Sequence, residues 1–354
     1  MVLSWIEDFK FITQRTLIVK ILFIVSVFIF IKNKEDYTLY YFLITISITV
    51  NAIVNLFYAK KYIQIDFDIQ EIKRITKPIL VLGIYYILAW LYNSFSTSFL
   101  GFISTDEQVG YYSTATKLYT IFLSVITAFT TVMLPRLSQL ISQNKLDEFQ
   151  QRINKSFNIV LTITIPFTIF AIFFASDIIY IIAGPGYNGA IIPMMIIMPI
   201  ILIVSIAQIL IIQILTPLKK DKEMMICTIW GAFTGLILNL ILVPHMLCNG
   251  AAICWLVSEF VVMSSAIYFI CNKTIIKLPF KSIKKRVVPL LITCFFCYVL
   301  QTIFSDINIL VRLVTSAIII VFITYLTEKF LTKNPIIYEV DSLGNKLTQK
   351  IWKK

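Results

Sequence analysis

The feature that most constrains this chain is a series of apolar runs, each about 20 residues long, that recurs along nearly the whole sequence. A helical run of this length spans the hydrocarbon core of a bilayer. Lipid supplies no hydrogen-bonding partner to the backbone, so a spanning segment has to satisfy its own N–H and C=O groups, as an α-helix does. The chain is therefore predicted to be an all-α polytopic membrane protein.

Ten transmembrane spans are predicted, and no separate soluble domain. Only 14% of the 354 residues are charged, against about 25% in ordinary soluble domains, and 58% are hydrophobic. The spans are labelled A to J, with approximate bounds A 11–31, B 37–58, C 79–103, D 112–140, E 157–182, F 191–215, G 225–244, H 251–271, I 288–304 and J 309–331.

The distribution of Lys and Arg predicts the orientation in the membrane. The net charge of +12 is concentrated in alternate connections, which indicates membrane topology and not nucleic-acid binding. Connection A–B has only Lys32 and Lys34, and connections C–D, E–F, G–H and I–J have no Lys or Arg. Cytoplasmic loops are rich in these residues, so both termini are predicted to be cytoplasmic. The positive connections contain Lys60, Lys61, Lys73, Arg74 and Lys77 (B–C), Lys145, Arg152 and Lys155 (D–E), Lys219, Lys220 and Lys222 (F–G), and Lys273, Lys277, Lys281, Lys284, Lys285 and Arg286 (H–I).

Span D carries a row of polar side chains, called the polar stripe below. A glycine turn at Val109-Gly110 is predicted to open this segment, and Pro135-Arg136 to close it. Spacings of three and four residues place the stripe on one helical face. A face of this kind usually turns to a protein interior or a watery cavity, although Lys117 alone could instead snorkel to the outer interface. The polar stripe consists of Ser113, Lys117, Thr120, Ser124, Thr127 and Thr131, and the opposite face has Leu118, Phe122, Val125 and Phe129.

Other spans contain isolated polar groups of the same kind. Span F has Gln208 and Gln213, and span G has a GxxxG pattern at residues 231–235, which favours close helix approach. Glu259 in span H is either a structural carboxylate tied to a neighbouring helix or a coupling charge. Lys20 and Arg312 are expected to snorkel. The candidate substrate-binding residues are Lys117, Ser113, Thr120, Ser124, Asn93, Tyr86 and Asn239.

Enzymatic and metal sites are not predicted. The only histidine, His245, has no acid or cysteine constellation beside it, and there is no GxxxxGK[ST] phosphate loop. The six cysteines include a CxxC at residues 294–297 without a partner pair, so packing explains them better than metal or redox chemistry. Neither a catalytic residue nor a cofactor is therefore expected.

The B–C connection, residues 59–78, differs from the others because it mixes apolar and charged residues. Ile65, Ile69, Ile72 and Ile75 repeat at helical spacing before Pro78. This pattern favours an amphipathic helix on the inner membrane surface, and a solvated loop is the alternative.

Several segments, taken in order, resemble the Wzx-like O-antigen and capsule flippases of the MATE/MOP superfamily. They are Val-Gly-Tyr-Tyr-Ser with Ala115 and Lys117, Val-Met-Leu-Pro-Arg at 132–136, Ala-Gly-Pro-Gly-Tyr at 183–187, and Asn239, Pro244, Gly-Ala-Ala at 250–252 and Ser258-Glu259. The resemblance covers about residues 5–270, and spans I and J resemble the extra C-terminal pair of some members.

This resemblance implies two six-helix bundles that face each other across a cavity. The layout would be 1–58 for the last two helices of the N-terminal bundle, 59–78 for the linker, 79–271 for a complete C-terminal bundle, 272–331 for the extra pair and 332–354 for a cytoplasmic tail. The implied cargo is a polyprenyl-diphosphate-linked oligosaccharide, moved to the outer leaflet of the bacterial inner membrane. Membrane lipids and the polysaccharide polymerase and chain-length machinery are the implied partners, with no nucleic acid.

Three alternatives stay open. A MATE-type drug or cation antiporter needs an acidic cation site in the first bundle, and a membrane enzyme of polysaccharide assembly needs larger outer loops than these. Spans A and B resemble only two helices of the first bundle, so the chain is expected to be truncated, and an inactive flippase remnant is the third alternative.

Overall fold

The computed structural model describes residues 9–59, 76, 79–80, 83, 94–335, 337–338 and 341–342. Within these ranges the chain is helical and has no strand. The predicted amphipathic linker and most of span C, including Tyr86 and Asn93, lie outside the described residues. The chain divides into two compact units, residues 1–79 and 80–354.

The first unit is a pair of apolar helices, α1 (Phe9–Phe30) and α2 (Tyr37–Ala59), joined through a 3-10 turn at Lys34–Asp36. The Asp36 carboxylate accepts hydrogen bonds from the backbone N–H groups of Asn33 and Lys32, at 2.9 and 3.0 Å. These hydrogen bonds lower the pKa of Asp36 and hold the turn. Within the pair, Arg15 of α1 donates a hydrogen bond to Asn55 of α2.

The second unit contains the other helices that the structure describes. They are α3 (Ser94–Ile103), α4 (Asp106–Ser142), α5 (Leu146–Phe173), α6 (Ala175–Ala183), α7 (Ile191–Gln208, continued by a π-helical segment Ile209–Leu215), α8 (Asp221–Lys273), α9 (Phe280–Lys285), α10 (Val287–Ile303) and α11 (Ile309–Phe330).

The molecule is a multi-pass membrane protein. Eight helices of the described ranges are long and apolar enough to cross a bilayer. One of them, α8, contains both predicted spans G and H, and α3 is the described end of span C. The all-helical class is confirmed, whereas the count of ten spans stays a prediction.

The predicted ends of span D were wrong. Gly110 lies inside α4, which starts after Thr105 and runs through Pro135 to Ser142. The next helix begins at Leu146, so the supposed D–E loop is a short turn in which Asn144 has a left-handed φ of 56°. Hydropathy misses the first turns of the next helix because they are amphipathic, although their apolar side chains Phe149 and Ile153 are buried in the core.

Helix α8 is a hairpin of two antiparallel halves. The chain reverses at Leu247, which has φ 49° and ψ −127°. A Cβ atom at Gly250 would lie 2.6 Å from the Leu242 carbonyl oxygen, so only glycine fits beside this reversal. Along the hairpin, a Cβ atom at Gly231 would collide with the side chain of Val262. The close approach predicted from the GxxxG pattern is therefore confirmed at Gly231.

Substituting Gly231 by alanine is expected to destabilise the hairpin by about 1–3 kcal/mol, because the added methyl group has to displace Val262. Gly101→Ala is the matched control, since its Cβ would meet Val109 at an ordinary 3.7 Å. Unfolding in detergent micelles measures both variants. Equal stability of the two, or failure of Val262→Ala to rescue Gly231→Ala, would argue against close packing here.

The apolar core of the second unit has two main clusters, formed by α4, α5, α7 and α8, with α6 and the end of α3 contributing to the first. A third cluster packs α10 and α11 against α5 and α6, through Ile169, Phe174, Cys297, Leu300 and Ile320. The two C-terminal helices are thus attached to the flank of the bundle by apolar contact.

Ion pairs fix both ends of this C-terminal pair. Arg286 and Glu328 form a buried salt bridge at one end, with Nε and Oε1 3.1 Å apart. Arg312 contacts the carboxylate of Asp177, which lies in the first turn of α6. The sequence did not indicate this partner, because span E is broken at Phe174 and the new helix start places an acid beside Arg312. The expectation that Arg312 snorkels stays a prediction.

Candidate functional site

The polar stripe lies along one side of α4. Lys117, Thr120, Ser124 and Thr131 are exposed, whereas Ser113 and Thr127 are half-buried. The buried face of the same helix contains Tyr112, Ala115, Tyr119, Ile126 and Leu137. The exposed side of α4 also contains Ile121, Val125 and Val132, which are 65%, 62% and 75% exposed, so the polar stripe runs beside apolar side chains. Val125 was predicted on the opposite face.

The stripe offers hydrogen-bond acceptors beside a cation. The hydroxyl groups of Thr120 and Ser124 donate to the backbone carbonyls of Lys117 and Ile121, at 2.8 and 2.7 Å. These bonds occupy the hydroxyl protons, which leaves the oxygen lone pairs free for an outside donor such as a sugar hydroxyl.

Lys117 is the charge within this stripe. Among the described residues it has neither an ion pair nor a side-chain hydrogen bond, so its three N–H donors are available. A lysine at the centre of a lipid-exposed helix costs roughly 2.5–3.5 kcal/mol. An anionic ligand in contact with the ammonium group would offset that cost.

Glu259 lies on the other side of α4. It is buried on the second half of α8 and accepts a hydrogen bond of 3.3 Å from the indole N–H of Trp255. The Trp255 ring meets the Tyr119 ring edge to face, with centroids 4.6 Å apart. Lys117 and Glu259 form no ion pair with each other: Lys117 is on the exposed side of α4, whereas the Trp255 that donates to Glu259 packs on Tyr119 of the buried face.

Asn239 is also part of the packing. It is 2% exposed, and its amide group donates a 2.7 Å hydrogen bond to the Gly235 carbonyl. The structure does not bring it to the polar stripe. Tyr86 and Asn93 lie outside the described residues. The candidate residues that the structure groups on the surface of α4 are Ser113, Lys117, Thr120 and Ser124.

A glutamine clamp joins α4 to α7. Gln208 donates to the Thr127 hydroxyl at 2.9 Å and accepts from Thr130 at 3.0 Å. Sequence analysis identified Gln208 and Thr127 but did not predict that they form a hydrogen bond. An amide in the otherwise aliphatic span F and the hydroxyl groups of span D were the features that could have suggested the contact.

The π-helical segment of α7 starts directly after Gln208, and its buried Gln213 amide finds no partner within the described ranges. Such segments are frequent at functional sites.

The sequence of this chain matches one known protein family over more than half of its length. The model of the family described as "Polysaccharide biosynthesis protein" matches residues 7–192, which is more than half of the chain. The chain belongs to this family.

Two proteins similar to this family member have names that refer to transport. A protein of Escherichia coli (strain K12) named "Putative O-antigen transporter" is 25% identical over 273 residues, 76% of this chain and 66% of that protein. A Haloferax volcanii protein named "Probable flippase AglR" is 26% identical over 170 residues, 47% of this chain and 35% of that protein. The chain thus spans less than two thirds of the length of either relative.

The fold is shared with a solved structure titled "Lipid II flippase MurJ, inward closed conformation". The TM-score is 0.72 at 15% sequence identity, and the match covers 94% of this chain and 70% of that one. At this identity the similarity establishes the fold alone. This family member therefore shares the helical fold of that structure.

Proposed function

We propose that this protein is a flippase that moves a polyprenyl-diphosphate-linked oligosaccharide from the inner to the outer leaflet for surface polysaccharide synthesis. The observation that carries the proposal is Lys117, an exposed ammonium group within a row of hydroxyl groups on a membrane-spanning helix. An ammonium group recognises phosphate oxygens, and hydroxyl oxygens accept hydrogen bonds from sugars. The names of both relatives and the shared fold support the same function.

The site residues receive separate roles in this proposal. Lys117 holds the diphosphate, and Ser113, Thr120 and Ser124 contact the sugar or the phosphate oxygens. Asn93 and Tyr86 are proposed to contact the substrate from span C. Asn239 is proposed to act through the packing of α8, because its side chain is buried.

Both termini are proposed to be cytoplasmic, in the inner membrane of a bacterium, because the Lys- and Arg-rich connections alternate with connections that have few or none. Reporter fusions at Glu107 and Lys284 test this orientation. Glu107 is expected to report the outside and Lys284 the cytoplasm. The same side for both positions would contradict the proposed topology.

Glu259→Gln is expected to lower transport several-fold if the buried carboxylate is needed as a negative charge. The substitution keeps the shape of the side chain and removes the charge that Trp255 now faces. Trp255→Phe is the companion variant, since it removes the indole donor and keeps the carboxylate, whereas the amide oxygen of the glutamine in Glu259→Gln can still accept that hydrogen bond. Surface polysaccharide at matched expression is the measurement. Normal polysaccharide from Glu259→Gln together with a loss from Trp255→Phe would show that Glu259 acts only as the hydrogen-bond acceptor of Trp255.

Deletion of the gene in its own host tests the function. The proposal predicts that lipid-linked oligosaccharide accumulates in the inner leaflet and that surface polysaccharide is lost. A MATE-type antiporter predicts unchanged polysaccharide and higher sensitivity to cationic drugs. That second outcome would overturn the flippase assignment.

A further inference from the structure

A polar cavity of about 220 Å³ lies at the end of the C-terminal helix pair, away from the polar stripe residues. Its walls come from α5, from α9 together with Arg286, and from the residues that follow α11. They include Asn158, Lys285, Arg286, Lys333 and Asn334. The loop charges place this end of the helices on the cytoplasmic side.

One wall of this cavity is a closed hydrogen-bond network around the Arg286–Glu328 salt bridge. Both side chains are 3% exposed. The second carboxylate oxygen of Glu328 accepts from Thr332 at 2.8 Å and from Asn334 at 2.9 Å. The charge of Arg286 is therefore neutralised by Glu328 inside the protein. The polar groups of this wall bind one another, so we assign no ligand contact to them.

The remaining donors at the cavity have no acceptor in the part of the chain that is described. The Asn158 side-chain oxygen accepts from Ser282 at 2.5 Å and from Arg286 at 3.1 Å, which leaves its NH₂ group unused. Lys285 and Lys333 are exposed and have neither an ion pair nor a side-chain hydrogen bond to a described residue. Two ammonium groups and an amide donor thus line one polar cavity, which suits phosphate oxygens.

An apolar surface continues directly from this cavity. Val287, Val288 and Leu291 follow Arg286 on α10 and are 53%, 52% and 61% exposed. A free anion makes no use of such a surface, whereas the acyl chains of a lipid would cover it. Basic pockets between transmembrane helices on the cytoplasmic side are typical binding sites for anionic lipid headgroups.

We propose that this cavity binds the phosphate of an anionic phospholipid from the cytoplasmic leaflet, with the headgroup between Lys285, Lys333 and Asn158 and the acyl chains along α10. The site is separate from the polar stripe that serves transport. Ion pairs hold α10 and α11 in place at both ends. The lipid would therefore stay bound to a fixed surface and cover the exposed apolar side chains of α10.

Native mass spectrometry of the purified protein tests this site with phosphatidylglycerol and, as a zwitterionic reference, phosphatidylethanolamine. The double variant Lys285→Gln/Lys333→Gln removes both ammonium groups. Lys219→Gln/Lys284→Gln is the matched control. Lys219 matches Lys333, because both have a left-handed φ, 55° and 51° respectively. Lys284 matches Lys285, because it is the preceding residue in the chain but does not line the cavity. Inorganic phosphate and farnesyl diphosphate serve as competitors.

The wild type is expected to retain phosphatidylglycerol in preference to phosphatidylethanolamine. In the cavity variant its affinity should fall by roughly ten- to thirtyfold, while the control variant binds as the wild type does. Equal binding by all three proteins would overturn the site. Displacement by inorganic phosphate would show a site for soluble anions, and selective displacement by farnesyl diphosphate would show a site for the transported lipid; either result would overturn the phospholipid assignment.

Discussion

Replacing Glu328 by alanine is expected to lower the free energy of unfolding by about 3–5 kcal/mol. The substitution leaves the guanidinium of Arg286 buried without its counter-ion and removes one acceptor each from the Thr332 hydroxyl and the Asn334 amide. The attachment of α10 and α11 to the bundle should weaken with it. Reversible unfolding in mixed micelles, followed by helical circular dichroism, measures the effect.

Two further variants make this result specific. Glu148→Ala breaks the pair with Lys145, in which both side chains are about half exposed, and it should change stability little. Arg286→Met/Glu328→Leu removes both buried charges and should recover most of the loss. A double variant as unstable as Glu328→Ala would contradict the explanation by an uncompensated charge.

Replacing Lys117 by alanine at the chromosomal locus is expected to lower surface polysaccharide by roughly tenfold or more, since a hydrogen bond to a charged group contributes about 1.5–3 kcal/mol. Lys117→Arg keeps the charge and should retain part of the activity. Lys20→Ala is the matched control, because Lys20 is another exposed lysine in an apolar helix. Surface polysaccharide is measured at equal protein abundance in the membrane.

Normal polysaccharide from Lys117→Ala would assign this lysine to the membrane interface, where it would simply snorkel. A loss of the same size from Lys20→Ala would show that any lysine in these helices supports the membrane insertion of the protein. Either result would remove the main support for the substrate site on α4.

The helical class and the close approach at Gly231 followed from the sequence alone, because hydropathy and small-residue spacing are local signals. The bounds of α4 and α5 did not, since the ends of these helices carry exposed polar residues, and the apolar side chains among them, such as Phe149, are buried only through contacts with distant helices. Gly110 is an example: glycine at this position looked like a turn, but Thr105 precedes the helix and Gly110 continues it.

The charged contacts were the least predictable part. Arg286 was counted as a loop charge, and its burial with Glu328 depends on a pairing across 42 residues. A signal was present, because three pairs of polar residues four apart lie near the predicted ends of spans E, I and J: Asn158 and Thr162, Ser282 and Arg286, and Glu328 and Thr332. Such pairs could have suggested a polar contact between three helices, but not which helices would meet.

Transport by the purified protein in vesicles is the most direct test of the proposed function. A fluorescent oligosaccharide on a polyprenyl diphosphate is placed in both leaflets, and a membrane-impermeant quencher measures the fraction that reaches the outer leaflet. Movement should be faster with the wild-type protein than in protein-free vesicles, and close to the protein-free rate with Lys117→Ala. Equal rates in all three preparations would contradict the proposal that this protein flips lipid-linked sugars through the polar stripe of α4.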